Sequence, residues 1–258
     1  MLIMSLLFLK VMTSFSASYQ VVNGFRYSVD TQAKVATLES YDYSGDIVIP
    51  DSVLIDSYQY PVVALGKECF KDCIDLTSVT LPSGLKTLGE SCFENDSMLQ
   101  TICIPNNVGM LPKNCFQNCK NLTTVELPSS ISYLDDYCFS SCSSLSNISL
   151  ENIYYIGSDC FSNCNSLKEL SIYAYNFGFG SFSDCKGLKS VVFLRDQVYG
   201  LYSTFYGCSN LENIVLPKRM SVLDNTFFGC KKLKSIHIPD DVYGTQLSQV
   251  NNPRHIGA

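Results

Sequence analysis

Apolar residues recur along most of this chain at a spacing that neither an isolated helix nor an isolated strand explains. A Phe, usually preceded by Cys, returns every 21 to 23 residues, and an alternating apolar segment follows it each time. The eight anchoring phenylalanines are Phe70, Phe93, Phe116, Phe139, Phe161, Phe182, Phe205 and Phe227. A repeat of this length indicates a solenoid, because a single turn cannot cover its own apolar face and must stack on its neighbours.

Each repeat contains one short strand and one tight segment. In residues 76–81 the alternation directs Val79 and Leu81 to the interior. It directs Ser78 and Thr80 to the outside. Pro82 lacks an N–H group and is expected to end the strand. The segment around Phe70 is predicted to be a short helix or turn, with the Phe ring filling the space between the sheet and the opposite wall.

The repeat unit carries a motif that is specific to one family. It has the pattern L-G-x-x-C-F-x-x-C-x-x-L-x-x-V-x-L-P, first seen at Leu65, and it continues to about residue 242. This pattern closely resembles the BspA-like class of leucine-rich repeats, which occurs in surface proteins of bacteria and protists. The resemblance implies adhesion to host or matrix proteins or to other cells, and it transfers no binding residues to this chain.

The fold class predicted from these patterns is α/β. We expect a right-handed leucine-rich-repeat solenoid with a parallel sheet of short strands on one face and short helices or turns on the other. A small β cap is expected at the N-terminal end, because the open end of a solenoid has to be covered.

Patterning divides the chain into four parts. Residues 1–17 hold an apolar run that ends in small residues, which predicts a secretory signal peptide; a buried N-terminal strand is the alternative. The run is too short to span a bilayer. Residues 18–63 contain short alternating segments and are predicted to be the β-rich cap. Residues 64–242 hold the eight repeats, and the polar residues 243–258 are predicted to be a tail, either flexible or left by the shortening of a longer chain.

Charge and composition argue against two classes of function. The chain has 18 Lys and Arg against 24 Asp and Glu, and it lacks a basic run that could bind nucleic acid. It also lacks a Gly-rich phosphate loop and a nucleophile elbow, so no cofactor is expected. His237 takes an outward strand position, whereas Cys230 should point inward, and a Cys–His pair for catalysis is therefore not expected. The chain is predicted not to be an enzyme.

Twelve of the thirteen cysteines belong to the repeat. Ser181, Thr204 and Thr226 replace them in later turns, which indicates that the position requires a small side chain rather than sulfur. Buried free thiols are therefore expected, with disulfides between neighbouring turns as the alternative. A metal site is disfavoured because the His spacing of zinc sites is missing. Asp96 interrupts one column, and Cys103 takes an outward position and is expected to be exposed.

The outward strand positions change character along the solenoid. They are polar in the first four repeats and become aromatic and aliphatic from the fifth. The candidate binding residues are Tyr173, Tyr175, Val192, Leu194 and Val215. An exposed cluster of this composition is typical of an interaction surface, and the alternative is that irregular repeats bury these side chains.

The sequence thus predicts a non-enzymatic binding protein that is secreted or held at the cell surface. The expected partner is a host, matrix or neighbouring-cell protein, or a glycan; self-association through the apolar columns is a further expectation. A structural spacer in a longer surface protein is the main alternative, and a cysteine-dependent enzyme is a more remote one.

Overall fold

The computed structural model describes residues 19–220, 225–234 and 236. The predicted signal peptide at 1–17, the predicted tail at 243–258 and His237 lie outside the described residues. The first six strands are β1 (Gln20–Val22), β2 (Phe25–Asp30), β3 (Val35–Leu38), β4 (Gly45–Val48), β5 (Ser52–Ile55) and β6 (Tyr58–Leu65). The strands of the repeats are β7 (Leu76–Thr80), β8 (Thr87–Leu88), β9 (Thr101–Cys103), β10 (Met110–Leu111), β11 (Thr124–Glu126), β12 (Tyr133–Leu134), β13 (Tyr155–Ile156), β14 (Glu169–Ile172), β15 (Asn176–Phe177), β16 (Ser190–Phe193), β17 (Gln197–Val198), β18 (Asn213–Val215) and β19 (Arg219–Met220).

The first six strands cover the N-terminal end of the solenoid. Strands β1, β2 and β3 are antiparallel neighbours, β3 pairs in parallel with β6, and β5 pairs antiparallel with β6. Strand β4 pairs in parallel with β7, with Ile47 opposite Val79, so the repeat pattern of the strands already begins there. The ring of Tyr43 lies 4.9 Å from that of Phe70 and closes the core at this end.

Two series of parallel strands form two walls of the solenoid. The first wall contains β4, β7, β9, β11, β14, β16 and β18. The second wall contains the C-terminal end of β6 with β8, β10, β12, β13, β15, β17 and β19, most of which are two residues long. The sequence predicted the first wall but not the second, because two residues are too few to show an alternation.

The third wall consists of turns around the repeated Phe. No helix forms within the part of the chain that the structure describes, so the prediction of short helices is wrong. The backbone explains the difference, since two residues in every turn have a positive φ. They stand two positions before the Phe (Glu68, Ser91, Asn114, Tyr137, Asp159, Gly180, Ser203 and Asn225) and two positions after it (Asp72, Asn95, Asn118, Ser141, Asn163, Asp184, Gly207 and Gly229). A right-handed helix cannot pass through residues in the left-handed region.

Backbone hydrogen bonds in the third wall run between turns rather than along a helix. The residue two before the Phe, the Phe itself and the residue two after it each donate to a carbonyl of the next turn. In the first turn these bonds join Glu68 N–H to Glu90 O at 2.9 Å, Phe70 N–H to Cys92 O at 2.8 Å and Asp72 N–H to Glu94 O at 2.8 Å. The left-handed residues therefore turn three donors towards the neighbouring repeat, and the third wall is a hydrogen-bonded ladder.

The phenylalanine rings form a continuous column in the core. From Phe70 to Phe227, successive ring centroids lie 5.0 to 6.0 Å apart, with interplanar angles of 3° to 15°. The first seven rings have no solvent exposure. Burying a Phe side chain contributes about 1.5–3 kcal/mol, and each aromatic pair adds about 0.5–1.5 kcal/mol. The rings from Phe93 to Phe205 depend on both neighbouring turns for this burial, and Phe70 packs on Tyr43 at the N-terminal end.

The positive φ of these positions predicts which side chains they tolerate. Ser141 has φ 63°. We expect Ser141→Val to lower the free energy of unfolding by about 1 kcal/mol, because a β-branched side chain tolerates this backbone region poorly. Ser141→Gly should leave the stability unchanged or raise it. The measurement is urea unfolding followed by circular dichroism.

Ser144→Val is the matched control, since Ser144 is similarly half-buried in the same turn and has no positive φ. Equal losses for Ser141→Val and Ser144→Val would contradict this account of the third wall.

Candidate binding surface on the first wall

The outward face of the first wall is polar in the first three repeats, although β4 before them exposes Val48 opposite Thr80. The position before the strand-ending Leu or Ile holds Thr80, Cys103 and Glu126 in the first three repeats, and all three side chains are exposed. Cys103 lies opposite Glu126 in the pairing of β9 with β11. This column offers solvent mainly hydroxyl and carboxylate groups, and nothing in it requires an apolar side chain.

The same column becomes apolar towards the C-terminal end. Val192 lies between Ser171 and Val215 in the register of β14, β16 and β18. Tyr173 and Leu194 follow the ends of β14 and β16, and Leu194 N–H donates to Ile172 O at 2.8 Å. The exposed fractions of Tyr173, Val192, Leu194 and Val215 lie between 39% and 58%.

The candidate side chains are therefore at the surface and adjacent to one another. Tyr175 is half-buried. The alternative reading, in which irregular repeats enclose all these side chains, does not describe the structure.

An arginine lies among tyrosine rings beside this apolar column. The guanidinium carbon of Arg195 is 4.2 Å from the ring centroid of Tyr173 and 5.6 Å from those of Tyr154 and Tyr175. Tyr154 stacks on Tyr175 at 5.4 Å, and Tyr175 meets the edge of Tyr199 at 5.0 Å. We call these five residues the Arg195 cluster.

The charge of Arg195 is not neutralised within the described part of the chain. Its neighbour Asp196 forms an ion pair with Lys218 at 3.0 Å, whereas none joins Arg195 to a carboxylate there. The buried Nε atom of Arg195 also has no hydrogen-bond partner in this part of the chain. The sequence pattern did not single out Arg195, because the rings around it come from different turns. Its position directly after the candidate residue Leu194 was the one feature of the sequence that placed it near this surface.

Charge is unevenly distributed along the solenoid. Residues 166–236 carry nine Lys and Arg against five Asp and Glu, whereas residues 1–165 carry eight against seventeen. The turns with the apolar column are thus the basic end of an acidic chain. This distribution favours an acidic partner at the C-terminal turns, because opposite potentials steer association.

The cysteines do not form a reactive site. All thirteen are free thiols, and eleven of them are buried. Burial raises the pKa of thiols such as Cys115 and Cys138, which disfavours the thiolate that nucleophilic chemistry needs. Cys103 is exposed, as predicted, and its pKa is raised by desolvation and by its hydrogen bond with Glu126. Among the described residues, no group of three or more His, Cys, Asp or Glu side chains could hold a metal ion.

The column that Asp96 interrupts has a defined hydrogen-bond pattern. In the later turns the thiol of this column donates to the carbonyl of the anchoring Phe in the preceding turn. Examples are Cys119 Sγ to Phe93 O at 2.9 Å and Cys142 Sγ to Phe116 O at 3.0 Å. Asp96 is fully buried, and its Oδ1 accepts a hydrogen bond from Cys73 N–H at 3.0 Å. Its Oδ2 has no partner in the described part of the chain.

Desolvation raises the pKa of Asp96 to about 9, although the Cys73 hydrogen bond opposes this shift. A neutral carboxyl group offers one acceptor and one donor, as a thiol does. Burial therefore favours the protonated form of Asp96 in a column that otherwise holds thiols.

Comparison with known proteins identifies the repeat. The family model for the BspA type leucine rich repeat region matches residues 63–189 and 174–252, in six copies. The chain belongs to the BspA type leucine rich repeat family. Members of this family are typical bacterial surface proteins, and the matched ranges include all eight anchoring phenylalanines.

Solved structures resemble this BspA type chain over most of its length. The leucine rich repeat protein of T. pallidum is 26% identical, with 84% of this chain and 91% of that chain covered and a TM-score of 0.55. A leucine rich cell surface protein from Faecalibacterium prausnitzii is 20% identical, with coverages of 90% and 85% and a TM-score of 0.55. The second likeness shows the fold alone. A search of curated proteins gave no match.

The BspA type solenoid contains no candidate membrane span in its described residues: none forms a helix long and apolar enough to cross a bilayer.

The buried carboxyl group predicts an unusual dependence of stability on pH. The unfolded Asp ionises near pH ~3.9, whereas folded Asp96 keeps its proton until about pH 9. The raised folded pKa therefore stabilises the fold fully below the unfolded pKa, and this contribution is lost as the pH rises towards 9. Asp96→Cys should remove this pH dependence. The free energy of unfolding of the variant, relative to that of the wild type, should therefore be higher at about pH 8 than at about pH 5, by about 2 kcal/mol or more.

The measurement is urea unfolding of both proteins at the two pH values. Asp75→Asn, at an exposed position of the first turn, is the control and should behave like the wild type. The same pH dependence in wild type and Asp96→Cys would show that Asp96 is not the group responsible.

Proposed function

We propose that this chain is a non-enzymatic binding protein, secreted or held at the cell surface, that attaches to other proteins through the outward face of its first wall. The contact residues are Tyr173, Tyr175, Val192, Leu194 and Val215. The observation that carries the proposal is the exposed apolar column of Val192 and Val215. It occupies a position that is polar in the first three repeats.

The column has no structural reason to be apolar. The core of each turn is filled from the inward positions, and the outward position of β9 or β11 is stable with Cys or Glu in it. Val192 and Val215 are about half exposed and add little to the core of their turns. Exposed apolar clusters of this kind mark interaction sites on soluble proteins.

The Arg195 cluster supports a protein partner at this face. Tyr and Arg are enriched among the residues that contribute most to protein–protein binding. The cation lies against Tyr173 and forms no ion pair with a carboxylate in the described part of the chain. The partner surface is therefore expected to combine aliphatic side chains with a carboxylate that faces Arg195.

An extracellular location agrees with this role. The signal peptide predicted at residues 1–17 supports it, as does membership of a family that is typical of bacterial surface proteins. The free apolar column would be accessible to host, matrix or neighbouring-cell proteins in that setting.

The test uses a double variant, Tyr173→Ala with Leu194→Ser. Surface plasmon resonance against a panel of purified extracellular-matrix and cell-surface proteins should detect a partner for the wild-type chain. The double variant should bind it about tenfold or more weakly, because two central contacts are lost. The melting temperature should stay close to that of the wild type, since both side chains are exposed.

The matched control is Thr80→Ala with Thr101→Ala, at exposed positions of the same wall in earlier turns. Loss of binding in this control, or unfolding of the double variant, would count against the assigned face. Sedimentation velocity adds a second criterion: a wild-type dimer that the double variant abolishes would assign the column to self-association.

A further inference from the structure

A cleft lies in the third wall, on a different side of the solenoid from the proposed protein-binding face. It spans the turns around Phe182, Phe205 and Phe227 and has a volume of about 470 Å³. Three aromatic side chains line it, together with hydroxyl, amide and carboxylate groups. Its lining includes Phe179, Asp184, Ser203, Tyr206, Asn225 and Phe228.

The aromatic lining interrupts columns that are charged or polar elsewhere. The position three before the Phe holds Lys67, Glu90, Lys113, Asp136 and Ser158 in the first five turns, and then Phe179 and Tyr202. The position one after it holds Lys71, Glu94, Gln117, Ser140, Ser162 and Ser183, and then Tyr206 and Phe228. Ion pairs join neighbours in both columns of the early turns, at 3.8 Å between Lys67 and Glu90 and at 3.2 Å between Lys71 and Glu94. The third wall is thus stable with a solvated surface.

The aromatic rings of the cleft are accessible. Tyr206 and Phe228 stack at 5.2 Å with an interplanar angle of 12°. Phe179 is 61% exposed, and the other two rings are 37% to 39% exposed. These rings lie outside the buried Phe column, and although Tyr206 and Phe228 stack between neighbouring turns, all three rings stay partly open to solvent.

A glycine leaves the carboxylate of the cleft without a side-chain partner. In the early turns the side chains two positions after the Phe bond to one another, as in Asn95 Nδ2 to Asp72 Oδ1 at 2.7 Å and Asn118 Nδ2 to Asn95 Oδ1 at 2.9 Å. Asp184 occupies this column, and the next turn has Gly207 in place of Asn. A Cβ atom at Gly207 would lie 2.5 Å from Asp184 Oδ1.

In the described part of the chain, no hydrogen bond engages the carboxylate of Asp184 or the side-chain amide of Asn225. Together with the hydroxyl of Ser203, they surround the aromatic rings with unused polar groups. A small number of placed polar groups on an apolar cleft is typical of a small-ligand site.

This combination of groups matches a neutral sugar. The C–H faces of a pyranose ring pack on exposed aromatic rings, and its neighbouring hydroxyls donate to a carboxylate and accept from an amide. The charge of Asp184 disfavours sialylated, uronic or sulfated sugars, because two anions would face each other. We propose that this cleft binds a neutral pyranose unit of a glycan.

The test combines a glycan array with saturation-transfer NMR, using neutral and acidic oligosaccharides and the full chain. The array should retain neutral glycans, and their ring protons should receive saturation from the protein. Phe179→Ala should weaken this binding about five- to tenfold by removing one stacking surface. Gly207→Asn should abolish it, because Asn fills the space and bonds to Asp184 as Asn95 does to Asp72 in the early turns.

Ile74→Ala is the matched control, since Ile74 is an equally exposed apolar residue of the same wall in the first turn. The control should bind like the wild type. Melting curves for all variants confirm that they fold; Asn occupies the position of Gly207 in three other turns, so Gly207→Asn should keep the wild-type melting temperature. A glycoprotein offered before and after enzymatic removal of its glycans distinguishes an attached from a free source of the same sugar.

Retention of acidic glycans alone, binding of a peptide instead of a sugar, or unchanged binding by Gly207→Asn would each overturn the proposal. The double variant Tyr173→Ala with Leu194→Ser should still bind the sugar. If it does not, the sugar site lies on the first wall and the cleft is not the site. A negative result for sugar binding at the cleft therefore does not count against the proposed protein-binding face. A negative result for protein binding at that face does not count against the cleft.

Discussion

The stacking of one turn on the next is the interaction on which the whole molecule depends. The rings from Phe93 to Phe205 are each buried between the rings of two neighbouring turns, and the backbone of the third wall donates its hydrogen bonds across the same boundary. A turn such as the one around Phe116 therefore has neither a core nor satisfied backbone donors without its neighbours. Stability is set at the boundaries between turns, and the N-terminal strands with Tyr43 are needed to cover the first of them.

This arrangement separates the demands of folding from those of function. The inward columns and the left-handed positions are constrained in every turn, whereas the outward columns are free to vary. The early turns use that freedom for hydroxyls and ion pairs, as between Lys71 and Glu94. The later turns expose Val192 and Val215 on one wall and Phe179 and Tyr206 on another. Because these exposed side chains add little to the core, a role in binding is the simplest physical reason for their presence.

Much of the fold could be predicted from the sequence, because a repeated Phe and an alternating strand report burial directly. The prediction of short helices was wrong because residue types such as Glu68 and Tyr137 do not indicate the positive φ that they adopt. The Asn, Asp, Ser and Gly residues two positions after each Phe were the part of the sequence that indicated a left-handed backbone. The register of Val192 with Val215 followed from the repeat. The Arg195 cluster and the cleft did not, because their members come from different turns and only the folded solenoid brings them together.

We propose that the first four turns serve as scaffold and that the C-terminal turns carry the binding surfaces. Hydrogen exchange followed by mass spectrometry, on the chain alone and with a retained protein or glycan, tests this most directly. The account predicts that added protection is confined to residues 171–215 for a protein partner and to residues 179–228 for a sugar. Added protection centred on residues 65–145 would contradict it.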